Sequence, residues 1–375
     1  MKIFYEFSDF DLKAEIQEDF RKYFSESWGK VKTSNCCGSM KIGDETISIL
    51  PKINRVDENA NMRYLVYMLS FVYDLNVEET ASATDTEQSP IIELLISVFC
   101  RDLLVEVERG LYREYISCQE NIRTLKGRYL TGLDARHNLF RDKIYCEYDE
   151  FSPDNYLNAL FAHTVKFCRQ ITKSDENRKR LSALALMFDE VDTAYQKKPF
   201  VFGRLNERFK KPYSLATLIL EHLSVNIGAH GKSEWAFMFD MNVLFEQFVG
   251  KLIKQIDPSA LLQSERNFGN LKLRPDILIP NKLIIDTKYK LVSSKEEISA
   301  QDKYQMYAYG KNFGIENTML LYPKHLDGAT EILQLGELEK CVMLRMDNVQ
   351  LNIIADSFCA YIENIKNQLR GILNG

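Results

Sequence analysis

The stretch that decides the fold is LRPDILIPNKLIIDTKYK, residues 273–290. Two apolar runs flank a turn signal at Pro280-Asn281, the pattern of an antiparallel strand pair. Yet Asp276 falls in the first run, and Asp286 and Lys288 fall in the second. Residues two apart in a strand share a face, so Asp286 and Lys288 point the same way. A hairpin brings Asp276 opposite Asp286, and three ionisable side chains meet at one place. Two carboxylates that close repel unless a cation neutralises them. Mg²⁺ suits such a site, held by carboxylates, a backbone carbonyl and water. The Thr287 carbonyl is a natural further ligand. A lysine beside it can orient or deprotonate a water, or offset charge on a phosphate. Those parts suit metal-assisted phosphodiester hydrolysis. An Asp-Lys ion pair at a sheet edge is the plainer reading of an isolated D-x9-D-x-K.

The surroundings of the stretch form a mixed α/β unit. A helix is expected over 240–256 and strands near 261–267, 271–279 and 282–290. A helix over 299–312, strands at 318–322 and 341–346, and a closing helix over 352–372 follow. Glu246 lies on the first of these helices, and Gln305 and Tyr309 lie on the second.

Upstream the texture changes twice. A strand at 46–50 stops at Pro51, helical periodicity covers 61–76 and 91–116, and 79–90 is a polar acidic loop. Residues 118–150 are short, polar and turn-rich. They read as strands, with loops at Lys126-Gly127 and 134–138. Helices are expected at 154–171, 175–195 and 203–227. The fold class is therefore an α+β N-terminal domain with a projecting strand-rich stalk, followed by a C-terminal α/β core. The domains expected are 1–200 and 201–375.

Composition sets limits. The chain has 375 residues, 45% of them apolar, enough for two or three domains with ample core. Its net charge is −5, so contact with nucleic acid must use a local patch or a partner. The eight cysteines include no CxxC and no zinc spacing, which suits a reducing cytoplasm. No apolar run is long enough to span a membrane, and the N-terminus does not read as a signal peptide.

Several signals carry less. GAHGKS, 228–233, lacks the first glycine of a phosphate-binding loop, and the segment before it reads as helix. The five histidines are dispersed, and the Tyr64, Tyr67, Tyr73 stripe reads as core. Arg178-Lys179-Arg180 and Arg204, Arg208, Lys210 and Lys211 could line a DNA path, although helix-surface charge is the commoner meaning.

The acids and lysine resemble the PD-(D/E)xK nuclease core, with Pro275-Asp276 followed by Asp286-Thr287-Lys288. In that superfamily a helix glutamate often assists the metal, and Glu246 in NVLFEQFV matches it. Gln305 and Tyr309 match a Gln and Tyr often found on the helix after the motif. The wider set FDMNVLFEQFV, RPDILI, IIDTKYK and YQMYAY, behind ISILPKI and LKGRYL, resembles the McrC family, nuclease subunits of methylation-dependent restriction systems. The resemblance implies a Mg²⁺-dependent endonuclease with metal ligands at Asp276, Asp286, Thr287 and Glu246. Lys288 would be catalytic, with Gln305 and Tyr309 in support. It implies an McrB-like AAA+ GTPase hexamer as partner, and double-stranded DNA carrying modified cytosine as substrate. It also implies an N-terminal part that enters the partner's ring and stimulates GTP hydrolysis. The tip is expected in 118–150, with Lys126, Arg128, Arg136 and Arg141 as basic contacts. A non-catalytic adaptor that activates the GTPase, and a free-standing nuclease, are the alternatives.

Overall fold

The structure is a computed structural model describing residues 2–10, 18–27, 30–53, 58–75, 91–138, 142–227, 233–290, 292, 294–324, 331–336 and 341–374. Arg141, the loop 79–90 and residues 228–232 of GAHGKS lie outside the described residues. The chain forms two compact units, one of Met1–Leu94 with His222–Gly375 and one of Leu95–Glu221. The units are nested, not consecutive, so the boundary expected near residue 200 falls inside the second. The reason is strand pairing. Ser233–Asp240 pairs antiparallel with Cys36–Ile42, which joins early and late chain in one five-stranded sheet.

That sheet also contains Lys2–Tyr5, Glu45–Leu50 and Leu223–Ile227. The last of these corrects the helix expected over 203–227. The helix runs only from Lys210 to His222, and the alternating, β-branched LSVNI that follows is a strand on Ser233–Asp240. The segment before GAHGKS is thus strand, not helix.

The same unit holds a six-stranded mixed sheet. Its order is Leu261–Leu262, Ile277–Ile279, Leu283–Thr287, Asn317–Lys324, Val342–Gln350 and Glu331–Leu335. The first three strands pair antiparallel, and Leu283–Thr287 pairs parallel with Asn317–Lys324. The opening stretch is the expected hairpin. Ile277 pairs with Ile285, Lys282 N–H donates to the Ile279 carbonyl, and Asn281 takes φ +58° in the turn. Asp276 lies one residue before its strand, not within it.

The helix Met241–Ile256 starts at Asp240, whose carboxylate accepts the Asn242 N–H at 2.8 Å. Its apolar stripe, including Leu244, Phe245, Phe248 and Leu252, is buried. The helix Ala300–Phe313 starts at Ser299, which accepts the Asp302 N–H at 3.0 Å. It lies so close on the sheet that a Cβ at Gly310 would meet Val342 methyls at 2.7 Å. The closing helix begins at Phe358, later than expected, where Ser357 Oγ accepts the Ala360 N–H. Tyr64 and Tyr67 are core and pack on Tyr361.

In the second unit, the helix expected over 91–116 stops at Glu108. Gly110 takes φ +106°, and Glu114–Ile122 turns into a strand paired antiparallel with Ile144–Ser152. Arg128–Tyr129 adds to the other side of Ile144–Ser152, giving a three-stranded sheet. Residues expected as a loop at 134–138 are largely a helix, Thr131–His137, whose Asp134 carboxylate accepts the Tyr145 N–H at 3.0 Å. Gly127 takes φ +67° against the Glu147 carbonyl, where a Cβ would clash at 2.4 Å. Helices Tyr156–Ile171, Asp175–Met187 and Lys210–His222 complete the unit with the end of Ile91–Glu108.

Candidate active site

The hairpin register places position 276 against position 286, one step beyond the Ile277–Ile285 pair. Asp286 is only 2% exposed, in the middle of an apolar sheet. Burial first, then the charge of Asp276, pushes its carboxyl up to about 6. Its Oδ2 is buried without a hydrogen bond of ordinary geometry, and its close neighbour is the Lys288 ammonium. Asp276 is fixed differently. Its Oδ2 accepts the Thr287 N–H at 2.7 Å and the Thr287 hydroxyl at 2.9 Å. Thr287 therefore uses its amide and hydroxyl to orient one acid, while its carbonyl remains the ligand expected from sequence.

Lys288 sits at the centre of a chain of contacts. Beside its ion pair with Asp286, its ammonium donates to Gln305 Oε1 at 3.2 Å. Gln305 Nε2 donates to the Tyr309 hydroxyl at 2.9 Å, and that hydroxyl donates to the Arg274 carbonyl at 3.0 Å. Burial works against the lysine's charge, but Asp286, Asp302 and Asp276 outweigh it and raise its pKa. Lys288 is held protonated.

Glu246, on the helix beside the sheet, is half-buried. Burial, then the charges of Asp276 and Asp286, push its carboxyl up to about 7. The structure thus brings Asp276, Asp286 and Lys288 together with Glu246 near enough for their charges to act on it, and Gln305 bridges Lys288 to Tyr309. Sequence reasoning missed Asp302, which is buried and lies 3.8 Å from Lys288 and 3.1 Å from Lys290. Its position three residues before Gln305, on one helix face, was the available signal.

Whether these residues fit a divalent cation can be judged from the donors. No three acidic, imidazole or thiol groups among the described residues form a ready cage. Two carboxylates do converge: Asp286 is buried with its Oδ2 beside the Lys288 ammonium, and the charge of Asp276 raises its cost of ionising. That fits a cation held by Asp276 and Asp286 with water filling its shell, the habit of Mg²⁺.

The partner contacts expected at the tip lie in the second unit. Lys126, Arg128 and Arg136 are all exposed. Lys126 lies over the Tyr148 ring at 3.7 Å, and Arg128 pairs with Glu147 at 3.4 Å. Four members of the basic clusters considered for a DNA path are engaged locally. Arg178 and Arg180 pair with Asp175 and Glu176, Lys210 pairs with Glu207, and Arg208 donates to the Glu106 and Gly110 carbonyls.

With this geometry in hand, comparison with known proteins is informative. The family profile described as "McrBC 5-methylcytosine restriction system component" matches residues 31–323. The chain belongs to the McrBC family. A comparison with curated proteins finds no match. Among solved structures, one similar chain comes from the refined half-complex of a tetradecameric assembly of Thermococcus gammatolerans McrB AAA+ hexamers with bound McrC. It is 21% identical, with 99% of each chain covered and a TM-score of 0.66. A second, from the Thermococcus gammatolerans McrBC complex, is 24% identical over 67% of this chain and 86% of that one, with a TM-score of 0.50. The McrBC-family fold thus extends along essentially the whole chain. No helix among the described residues is long and apolar enough to cross a membrane.

Proposed function

We propose that this McrBC-family chain is the McrC-type nuclease subunit of a GTP-driven restriction complex in the cytoplasm. It hydrolyses phosphodiesters in double-stranded DNA carrying modified cytosine, and it stimulates the GTPase of an McrB-like AAA+ hexamer. The observation that carries this reading is the meeting of Asp276, Asp286 and Lys288 at a PD-(D/E)xK-type hairpin, with Glu246 on the helix beside it and the carboxyls of Asp286 and Glu246 raised. The similarity to a chain from an McrB hexamer assembly with bound McrC supports the choice of partner.

Mg²⁺ bound there supplies a Lewis acid for the scissile phosphate and a more acidic water. Asp276 and Asp286 provide the ligands, and Thr287 orients Asp276. Lys288, held protonated, acts as a fixed cation that orients the attacking water and offsets charge on the phosphate. It is not the base. Glu246, close enough for the charges of Asp276 and Asp286 to act on it, would help to hold and orient that water. Gln305 and Tyr309 hold the lysine in place.

The test uses cytosine-methylated and unmethylated plasmid with Mg²⁺, GTP and the cognate motor protein. Wild type should cut only methylated DNA, and Asp286→Ala should not cut while still stimulating GTP hydrolysis. No cutting by wild type, with GTPase stimulation intact, would establish the adaptor instead. Cutting without the motor would establish a free-standing nuclease.

A further inference from the structure

The residue after Lys288 is Tyr289, and it is buried. Its ring packs on Phe245, centroids 5.9 Å apart, and Phe245 immediately precedes Glu246. Its hydroxyl donates to Glu6 Oε2 at 2.9 Å, across the length of the sequence. Glu6 is fully buried at the end of the first strand, where its N–H donates to the Leu50 carbonyl at 3.0 Å. The same Oε2 accepts the Lys52 N–H at 3.1 Å, and the Lys52 ammonium lies over the Tyr289 ring at 5.0 Å.

This is costly construction for packing alone. Burial pushes the Glu6 carboxyl up to about 7, although Lys52, the Tyr289 hydroxyl and the Cys37 thiol all pull the other way. An apolar residue would fill the volume with less penalty. What a hydrogen bond adds is direction, since it sets the angle of the ring that it holds. The need for direction is local. The strand carrying Asp286 ends at Thr287, and Lys288 makes a further bond to the neighbouring strand, its N–H donating to the Leu321 carbonyl at 2.9 Å. Tyr289 is the next anchor, touching the neighbour of Glu246 on one side and the N-terminal sheet on the other.

We propose that Tyr289 and Glu6 form a positioning joint that sets Lys288 and Glu246 relative to one another for phosphodiester cleavage. Neither touches the reacting atoms. The joint rests on the nuclease reading above, and it adds that the first strand of the chain is part of the cleavage apparatus.

The experiment compares wild type, Tyr289→Phe, Glu6→Gln and Glu6→Leu in the complex with the motor protein, Mg²⁺ and GTP. Tyr289→Phe keeps the ring and removes the directional bond. It should lower kcat for cleavage about tenfold with KM for DNA and GTPase stimulation unchanged. Glu6→Leu should do the same, whereas Glu6→Gln, which keeps an acceptor oxygen, should stay within about twofold of wild type. A second readout is independent of cutting. Acylation of the Lys288 amine, followed by mass spectrometry, should be slow in wild type and Glu6→Gln and several-fold faster in Tyr289→Phe and Glu6→Leu. Equal acylation and equal kcat across the set would overturn the joint. If wild type does not cut, the nuclease reading fails, and the acylation contrast still decides whether the joint holds the lysine. If Tyr289→Phe does not fold, the two Glu6 variants carry the same comparison.

Discussion

Two regions of this molecule hold their charges in opposite ways. On the hairpin around residues 276–288, Asp286 is buried among isoleucines and is pushed toward neutrality by that burial and by the charge of Asp276. On the three-stranded sheet of the second unit, charges are exposed and neutralised in place, as in Arg128 with Glu147 and Lys126 over Tyr148. On the nuclease reading proposed above, a bound cation would offset that cost at the hairpin. The exposed set needs no completion, and each of its members contributes little by itself. Localised strain belongs to chemistry, and distributed weak contacts belong to a surface.

The comparison can be broken most directly at Asp286. Asp286→Ala should reduce cleavage by about a thousandfold or more, the scale of losing a metal's charge stabilisation. GTPase stimulation should stay within about twofold, measured by phosphate release in the same mixture. Loss of both together would show that the two regions do not divide the labour.

Lys288→Met should lower cleavage roughly a hundredfold, the cost of one fixed donor to a developing charge. It tests whether the lysine is a cation or a base. A cation's loss lowers the rate across the pH range, while a base's loss would also change the shape of the pH profile.

Stability against pH should separate the regions next. Glu6, Glu246 and Asp286 all have folded values raised above their ordinary ones, to about 7, 7 and 6. Such carboxyls hold more protons folded than unfolded. Without Mg²⁺, the stability contributed by these three groups should therefore be fully present below about pH 4, the ordinary carboxyl range. It should decline as pH rises toward 7. Glu6→Gln should remove up to roughly 3 kcal/mol of that decline, from 2.5 pKa units between 4.5 and about 7. Urea unfolding at pH 5 and pH 8 measures it. Mg²⁺ should raise Tm more at pH 8 than at pH 5, because ionised carboxylates bind it.

The smallest effect is expected on the exposed sheet. Arg128→Ala should change stability by less than about 1 kcal/mol and GTPase stimulation by less than about threefold. Joint replacement of Lys126, Arg128 and Arg136 should weaken stimulation well beyond any single change. A single variant that abolishes stimulation would show that this surface has a dominant contact.

Much of the site was legible because its signal is local. Period-two alternation with Asp276, Asp286 and Lys288 breaking the apolar pattern lies within one hairpin, and the register follows from the turn. Gln305 and Tyr309 came from the resemblance to the nuclease family, and only their helix was legible from its period. What escaped depends on distant partners. Glu6 looks like an ordinary acid after a short strand, and only its placement beside Tyr289 gives it meaning. The nesting of the units was hidden for the same reason, since no local pattern says that Ser233–Asp240 pairs with Cys36–Ile42. The misread elements sit where two periods compete. YREYI satisfies both a helix and a strand, and LSVNI continues the preceding helix's apolar spacing until its β-branched residues join a sheet.

Nesting also has a consequence for birth on the ribosome. The strand Cys36–Ile42 emerges early, but its neighbour Ser233–Asp240 cannot be offered until the whole Leu95–Glu221 unit has been made. At about 5–20 residues per second, that delay is on the order of ten seconds or more. During it, the inserted unit can close its own core while the early strands wait with one edge open. Assembly of the carboxylate hairpin comes later still, so the partner-facing expectations attach to the part of the chain that matures first and the cutting site to the part that matures last.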